Sequence, residues 1–349
     1  MSGGGGVNII VPMYNVARYL PDFLDSVLAQ TYKDYRMFVV DDCSEDNSKK
    51  IIDKYIPHFE GRLIYLSNAR NEKLGQTRNH GLDEAEKYPA EYTAFLDSDD
   101  TVLPDFLEHL VKKAEETHAD MVICGIKRIE DVTGKVICTE AVNGPEECKD
   151  IAGLKDNMAF INPAVYNKLF RTSCIRGIRF KRMLRSEDTC FLLEALSGLK
   201  TAVYTNRVGY CYRLRKDSLT GAFGEDVCKS MFQGFAETAK LYSQPEYAEY
   251  WEVLETQAFI RCLIGGACRA SFSDMRRMRK NINEAYVYMN AAFPDWKQNR
   301  YLSFGKRHSK GGKELALKIC AYMYRTHTFG IFVLIYFMML QVLKIDARM

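Results

Sequence analysis

The stretch Ala94-Phe95-Leu96-Asp97-Ser98-Asp99-Asp100 constrains this chain more than any other. Three apolar residues stop abruptly at three carboxylates, the pattern of a buried strand that delivers acids to its carboxyl end, where open α/β sheets bind their ligands. Carboxylates crowded in this way repel one another and call for a cation. A hard divalent ion suits them when a diphosphate supplies further ligands, because Mg²⁺ typically combines a small number of protein carboxylates with substrate phosphate oxygens. Read alone, the tetrapeptide is equally compatible with an acidic turn ahead of Pro104, so its neighbours decide.

Upstream, Val7 to Val11 reads as a buried strand stopped by Pro12, and Leu20, Phe23, Leu24, Val27 and Leu28 recur at helical spacing with Pro21 in the first turn. Met37 to Val40 forms a second apolar run, closed by Asp41-Asp42. Asp46 or Ser48 caps a helix carrying Ile51, Ile52 and Tyr55. Leu63 to Leu66 is a third strand, 74 to 87 a helix, and Tyr92 to Leu96 the fourth strand. Strand and helix alternating four times predict a parallel, doubly wound α/β sheet. Both acid-ended strands then open on one edge. Beyond them, a helix is expected from Pro104 to Thr117, a hairpin turning at 131–135, a helix over 185–199, a strand over 201–212, and a helical region over 226–293 with a weak point at Gly265-Gly266. The polar stretch 141–160 has no clear pattern.

With 47% apolar and 27% charged residues in 349, a packed core is expected. Charge is uneven: from Arg300 onward nine basic residues face two acidic ones, a local +7 in a chain whose total is +3. Apolar residues accompany this basic end, so a membrane surface suits it better than nucleic acid. The run Phe329 to Leu340 falls short of the ~20 apolar residues that span a bilayer. It reads as a helix lying in the membrane interface with 306–318 on lipid headgroups, or else as a packing or dimerisation helix. Eleven cysteines without metal-ligand spacing suggest reduced thiols in the cytoplasm, and the glycine-rich lead at 1–6, a flexible leader or cloning scar, carries no secretion signal.

No Gly-x-Gly-x-x-Gly follows the first strand, so a dinucleotide cradle is excluded and phosphate charge falls to a metal. Four pieces in order, Ile10-Val-Pro-Met-Tyr-Asn15, Val40-Asp-Asp-Cys-Ser44 with Asp46-Asn47-Ser48, Thr77-Arg-Asn-His-Gly-Leu82 and Phe95-Leu-Asp-Ser-Asp-Asp100, resemble the family 2 glycosyltransferases of GT-A fold. The likeness is close over 7 to 125 and looser to 220 through Asn167-Lys-Leu-Phe170, Glu187-Asp188-Thr189 and Tyr212-Arg213; Cys43 stands where glycine is commoner.

The resemblance implies a catalytic domain at 7–220, divided into a nucleotide-sugar half (7–125) and an acceptor half (126–220), followed by a helical region at 221–300 and membrane-associating helices at 301–349. It implies that Pro12 and Tyr14 line the base pocket of a UDP-sugar and that Asp41 accepts a hydrogen bond from the base. Arg78 would meet phosphate, Asp97 with Ser98 the ribose or sugar, and Asp99 with Asp97 a Mn²⁺ or Mg²⁺ ion. Asp100 would cap a helix or support the others. Asp188 would be the base and Glu187 its support or an acceptor contact. Tyr212, Arg213 and Ser218 fall where family members close over the diphosphate or acceptor. Lys168 matches a recurring family lysine.

The expected activity is inverting, metal-dependent transfer of one sugar to a glycan or lipid-linked glycan of the bacterial surface, on the inner face of the cell membrane, with homo-oligomers open. A nucleotidyltransferase fits less well, since Pro12-Met-Tyr-Asn15 lacks an activating glycine-rich loop. A non-catalytic scaffold of the same fold leaves Asp99 and Asp188 without a purpose.

Overall fold

The computed structural model describes residues 6–140, 147–150, 158–196, 198–215, 225–304 and 312–343. The chain divides into two compact units. One comprises Met1–Leu154, Asn162–Arg182 and Glu187–Ser218, the other Lys155–Ile161, Met183–Ser186 and Leu219–Met349.

The first unit begins β1 (Val7–Met13), α1 (Leu20–Leu28), β2 (Tyr35–Asp41), α2 (Ser48–Tyr55), β3 (Leu63–Ser67), α3 (Leu74–Ala85) and β4 (Tyr92–Phe95). These strands lie in the order β3-β2-β1-β4 and run parallel, so β2 and β4 end on the same edge. β1, at the centre, is buried at every position, as an unalternating apolar run in a parallel sheet must be. Among the described residues β3 pairs with β2 alone, and three of its residues stay half-buried. From α1, Leu20, Phe23, Leu24 and Val27 enter the core, each such burial contributing about 1.5–3 kcal/mol, while Leu28 is only partly covered. α3 sits close on β1 and β2 because Gly81 has no side chain: a Cβ there would meet Ile10 Cγ2 at 2.8 Å.

The unit continues with β5 (Thr101–Val102), α4 (Phe106–Thr117), β6 (Met121–Glu130), β7 (Val136–Glu140), β8 (Glu147–Asp150), β9 (Lys168–Arg171), α5 (Glu187–Ala195) and β10 (Thr201–Leu214). β6 and β7 form the expected hairpin. β9 inserts antiparallel between β4 and β6, with Leu169 facing Ala94 on one side and Val122 on the other, so the sheet is parallel in its first half and mixed in its second. Four residues are too few for a periodicity, and the sequence carries no strand signal there.

The second unit is helical: α6 (Glu225–Tyr242), α7 (Trp251–Ala258), α8 (Ala267–Ser273), α9 (Met278–Ala292), α10 (Gly312–Arg325) and α11 (Phe329–Leu343). Between α7 and α8 the helix widens into a π-helical stretch, Phe259–Gly266, which ends at the Gly265-Gly266 weak point. Tyr324 donates its hydroxyl to the Leu263 carbonyl in that stretch at 2.6 Å, and Phe259 stacks on Trp296 at 5.3 Å.

Several expectations need correction or fall elsewhere. Lys318, assigned to lipid headgroups, is buried and pairs with Glu314 one helical turn away at 2.5 Å. Arg325 is also engaged internally, donating to the carbonyls of Lys297 and Leu302 and to the Ser303 hydroxyl. Lys306, Arg307, Lys310, Lys344, Arg348, Ser218, residues 1–5 and most of 141–157 lie outside the described residues. Among the described residues no helix is long and apolar enough to cross a membrane. The cysteines whose pairing is described are free thiols.

Candidate active site

The loops after β1 and β2 are built as one piece. The backbone N–H groups of Asn15, Val16 and Ala17 donate to Ser44 Oγ (3.0 Å), Ser48 Oγ (3.2 Å) and Asp46 Oδ2 (2.8 Å), and Asn15 Oδ1 accepts from the Glu45 N–H at 2.8 Å. The alternate spacing of Ser44, Asp46 and Ser48 supplies these three acceptors; the N-cap of α2 is Asn47, without a side-chain cap bond, so Asp46 and Ser48 join the loops rather than cap the helix. The connection leaves Tyr14 exposed at 47% at the sheet edge. Cys43 adopts φ 65°, a left-handed conformation that costs a non-glycine residue about 1–2 kcal/mol and explains why glycine suits this position. Its thiol donates to the Asn68 carbonyl at 3.2 Å.

Asp41 and Asp42, both buried, differ in surroundings. Asp41 accepts from the Ser44 N–H at 2.8 Å and the Tyr65 hydroxyl at 2.9 Å. Asp42 accepts from Asn68 Nδ2 (2.7 Å) and the N–H groups of Glu72 (2.7 Å) and Lys73 (3.0 Å), so it braces the loop leading into α3. Pro12 offers its carbonyl to the Ser98 hydroxyl at 2.8 Å. That bond ties the end of β1 to the acid loop and takes up the buried Ser98 side chain.

Arg78 lies at the centre of the acids. It is 1% exposed, in the second turn of α3, and its guanidinium reaches Asp188 Oδ1 at 2.5 Å, Asp97 Oδ1 at 2.8 Å and Glu187 Oε1 at 3.5 Å. The sequence points Arg78 at phosphate; the structure surrounds it with carboxylates and lays it against the Phe180 ring at 5.2 Å. One cation among three acids leaves negative charge in a buried space. Burial and the neighbouring Asp188 push the Glu187 carboxyl up to about 7, while Arg78 opposes the rise. Burial likewise raises Asp188, against the pull of Arg78. Asp188 Oδ2 accepts from the Val165 N–H at 3.4 Å, and the side chain keeps 19% exposure.

The other two acids part company. Asp99 pairs with Arg215, and burial with the nearby Asp97 raises its carboxyl above the usual range. Asp100 caps no helix: it is buried, accepting from the Tyr210 hydroxyl and the Arg213 N–H, both at 2.7 Å. Burial and the charges of Asp99 and Asp97 raise it well above an ordinary carboxylate. Tyr210 in turn stacks on Tyr166 at 4.4 Å. Arg213 reaches the Asp99 carbonyl at 3.3 Å and Asp22 at 2.9 Å. Asp100 is thus tied to β10 by two hydrogen bonds. Arg215 and Tyr210 escape a reading of the sequence because they follow no motif; their only signal is their position near the end of a long strand.

Asp97 and Asp99 offer hard oxygen donors that fit a Mg²⁺ or Mn²⁺ completing its shell from diphosphate and water. Among the described residues no group of three or more His, Cys, Asp or Glu side chains forms a self-sufficient metal cage.

A mostly parallel sheet with acids on its carboxyl edge and a helical second unit define the class as a GT-A-type α/β enzyme. Residues 8–181 match the model of glycosyl transferase family 2. The chain is 25% identical over 292 residues to glycosyltransferase GlyA of Streptococcus pneumoniae, covering 80% of this chain but only 41% of GlyA. It is 28% identical over 223 residues to glycosyltransferase GlyG of the same organism, covering 61% of this chain and 72% of GlyG. The crystal structure of S. aureus TarS 1-349 in complex with UDP-GlcNAc superposes with a TM-score of 0.69 at 19% identity, covering 98% of this chain and 93% of that one. The chain belongs to glycosyl transferase family 2.

Proposed function

We propose that this protein transfers one sugar from a UDP-sugar to a hydroxyl of a glycan or lipid-linked glycan in the synthesis of bacterial surface polysaccharide or cell envelope, by metal-dependent displacement with inversion. The observation that carries the reading is the meeting of Asp97 and Asp188, far apart in sequence, on the single guanidinium of Arg78. It brings an acid of the nucleotide-sugar edge beside an acid suited to be a base. Relatives named as glycosyltransferases and a TarS neighbour that binds UDP-GlcNAc support the donor class.

In this mechanism the base of the nucleotide rests between Pro12, Tyr14 and Asp41. Asp99 and Asp97 would hold a Mn²⁺ or Mg²⁺ ion, whose positive charge would stabilise the leaving diphosphate. Asp188 takes the proton of the acceptor hydroxyl as that oxygen bonds to the anomeric carbon and the bond to the diphosphate breaks, its electron pair leaving with UDP. One base on one face gives inversion, so an α-linked donor yields a β-linked product. Glu187, its carboxyl raised to about 7 by burial and Asp188, supports Asp188 while carrying only part of a second charge at neutral pH. Thermal unfolding with UDP and Mn²⁺ tests the site: saturation at roughly 100 Kd stabilises the wild type by about 2.7 kcal/mol. Asp99→Asn keeps the UDP effect but loses its Mn²⁺ dependence. Absence of any shift in the wild type would overturn the reading.

The second partner is the inner membrane surface. α10 exposes Leu315, Ile319 and Tyr322 at helical spacing, and α11 exposes Ile331, Ile335 and Met338. Flotation with phosphatidylglycerol vesicles should recover the wild type and not Ile335→Glu. A salt-independent dimer in light scattering, lost in the same variant, would instead assign these faces to a second copy.

A further inference from the structure

We infer that Lys168 is a positioning residue for Asp188, acting through the turn between Asn162 and Asn167 and through its own charge. The inference rests on the role just given to Asp188. Lys168 opens β9 and is wholly buried. Its ammonium donates to the Asn162 carbonyl (2.8 Å), the Ala164 carbonyl (2.5 Å) and Asn167 Oδ1 (3.0 Å). Three N–H donors thus meet three neutral acceptors, and among the described residues no carboxylate touches them. Burying a charge in this way is far costlier than burying an apolar side chain of similar length. Sequence-local turns are ordinarily stapled by less.

The turn it clamps leads directly to the base. Asn167 fastens the turn to β6, its Nδ2 donating to the Cys124 carbonyl at 2.6 Å and its carbonyl accepting from the Cys124 N–H at 3.0 Å. Asn162 Oδ1 accepts from the Ala164 N–H at 3.1 Å, and the next N–H, that of Val165, donates to Asp188 Oδ2. Arg78 holds the other oxygen of the same carboxylate. The charged or titratable groups facing Asp188 are Arg78 from α3, Asp97 from the loop after β4, Glu187 on its own helix and Lys168 from β9. Facing Lys168 are Asp188 and the Cys124 thiol. Burial lowers the lysine to about 7, so the clamp weakens as pH rises past neutrality. With its charge present, Lys168 favours the ionised, proton-accepting form of Asp188. The Val165 N–H favours the same form.

The test reads Asp188 itself and needs no substrate. In protein labelled with ¹³C-aspartate, the Asp188 carboxyl resonance is the one missing from Asp188→Asn, and it is titrated in the wild type, in Lys168→Met and in Asn162→Ala. Lys168→Met should raise the Asp188 midpoint by about one pH unit, the order expected for losing one nearby opposite charge. Asn162→Ala, which keeps the lysine but frees the Ala164 N–H, should raise it by less, and decides the matter should Lys168→Met fail to fold. An unmoved midpoint in the folded variants overturns the inference, reducing Lys168 to a staple. Turnover of nucleotide sugars in parallel should show a roughly tenfold fall in kcat for Lys168→Met with KM for the donor unchanged, the mark of misplaced chemistry rather than lost binding. If the wild type turns over no nucleotide sugar, the proposed function falls while the titration still decides the role of Lys168.

Discussion

Asp188→Asn should lower sugar transfer by about 10²–10⁴-fold, the contribution of a positioned general base, while leaving UDP binding intact. The substitution is gentle on the fold. An amide oxygen still accepts from Arg78, and only the contact with the Val165 N–H is lost, a cost of about 1 kcal/mol. Chemistry and stability therefore separate in this variant. The pH profile carries a second signature. Asp188 and Glu187 share a buried space in which burial raises both carboxyls, Glu187 to about 7. Transfer in the wild type should rise with pH as the pair gives up its protons and stop rising near neutrality, where Lys168 begins to lose its charge. Stability moves the opposite way: carboxyls raised in the folded state bind more protons there than in the unfolded chain. Their contribution is present at acid pH and is lost as pH climbs from the ordinary carboxylate range through about 7. In Asp188→Asn the charge that most raises Glu187 after burial is gone, so that fall should be smaller and end at lower pH. Initial-rate profiles and urea unfolding between pH 5 and 8.5 measure both. Transfer unchanged in Asp188→Asn would remove it from the role of base.

Arg78→Met should destabilise the protein by about 3–5 kcal/mol at pH 8, the scale for breaking a buried ion pair by removing one partner. Three carboxylates would be left to share a buried space without their cation. At pH 5.5 the loss should shrink, because protonation relieves the repulsion and the raised carboxyls of Glu187 and Asp188 accept protons readily. Arg78→Lys should fall between, keeping the charge without the planar fork that reaches two acids at once. Urea unfolding at the two pH values decides between this account and the one the sequence suggests. A phosphate-binding Arg78 would lose UDP affinity on substitution and leave stability almost untouched.

Much of the molecule is legible before folding. Apolar runs of four to seven residues, each ended by a turn or an acid, determine that β1, β2, β3 and β4 form and alternate with helices, since a strand covered on both faces has no room for polar alternation. The acids at the ends of β2 and β4 are visible for the same reason, and their common edge follows from parallel pairing. The shortfall of α11 against a membrane span is likewise a matter of counting.

Roles among those acids are another matter. Asp97, Asp99 and Asp100 are neighbours in sequence with the same side chain, yet one meets Arg78, one Arg215 and one Tyr210. Which partner each receives depends on α3 and the carboxyl end of β10, segments brought to the loop only by the sheet. β9 and the Lys168 clamp stay hidden because four residues hold no period, and because a lysine in sequence signals a solvated charge until three backbone and amide acceptors surround it. Lys318 misleads in the same direction, its charge being answered by Glu314 inside the second unit. Where strands and acids lie follows from local patterning and burial, which are written in consecutive residues. Tertiary structure alone decided which charges meet, because electrostatic partnership depends on distances between segments that no local pattern encodes.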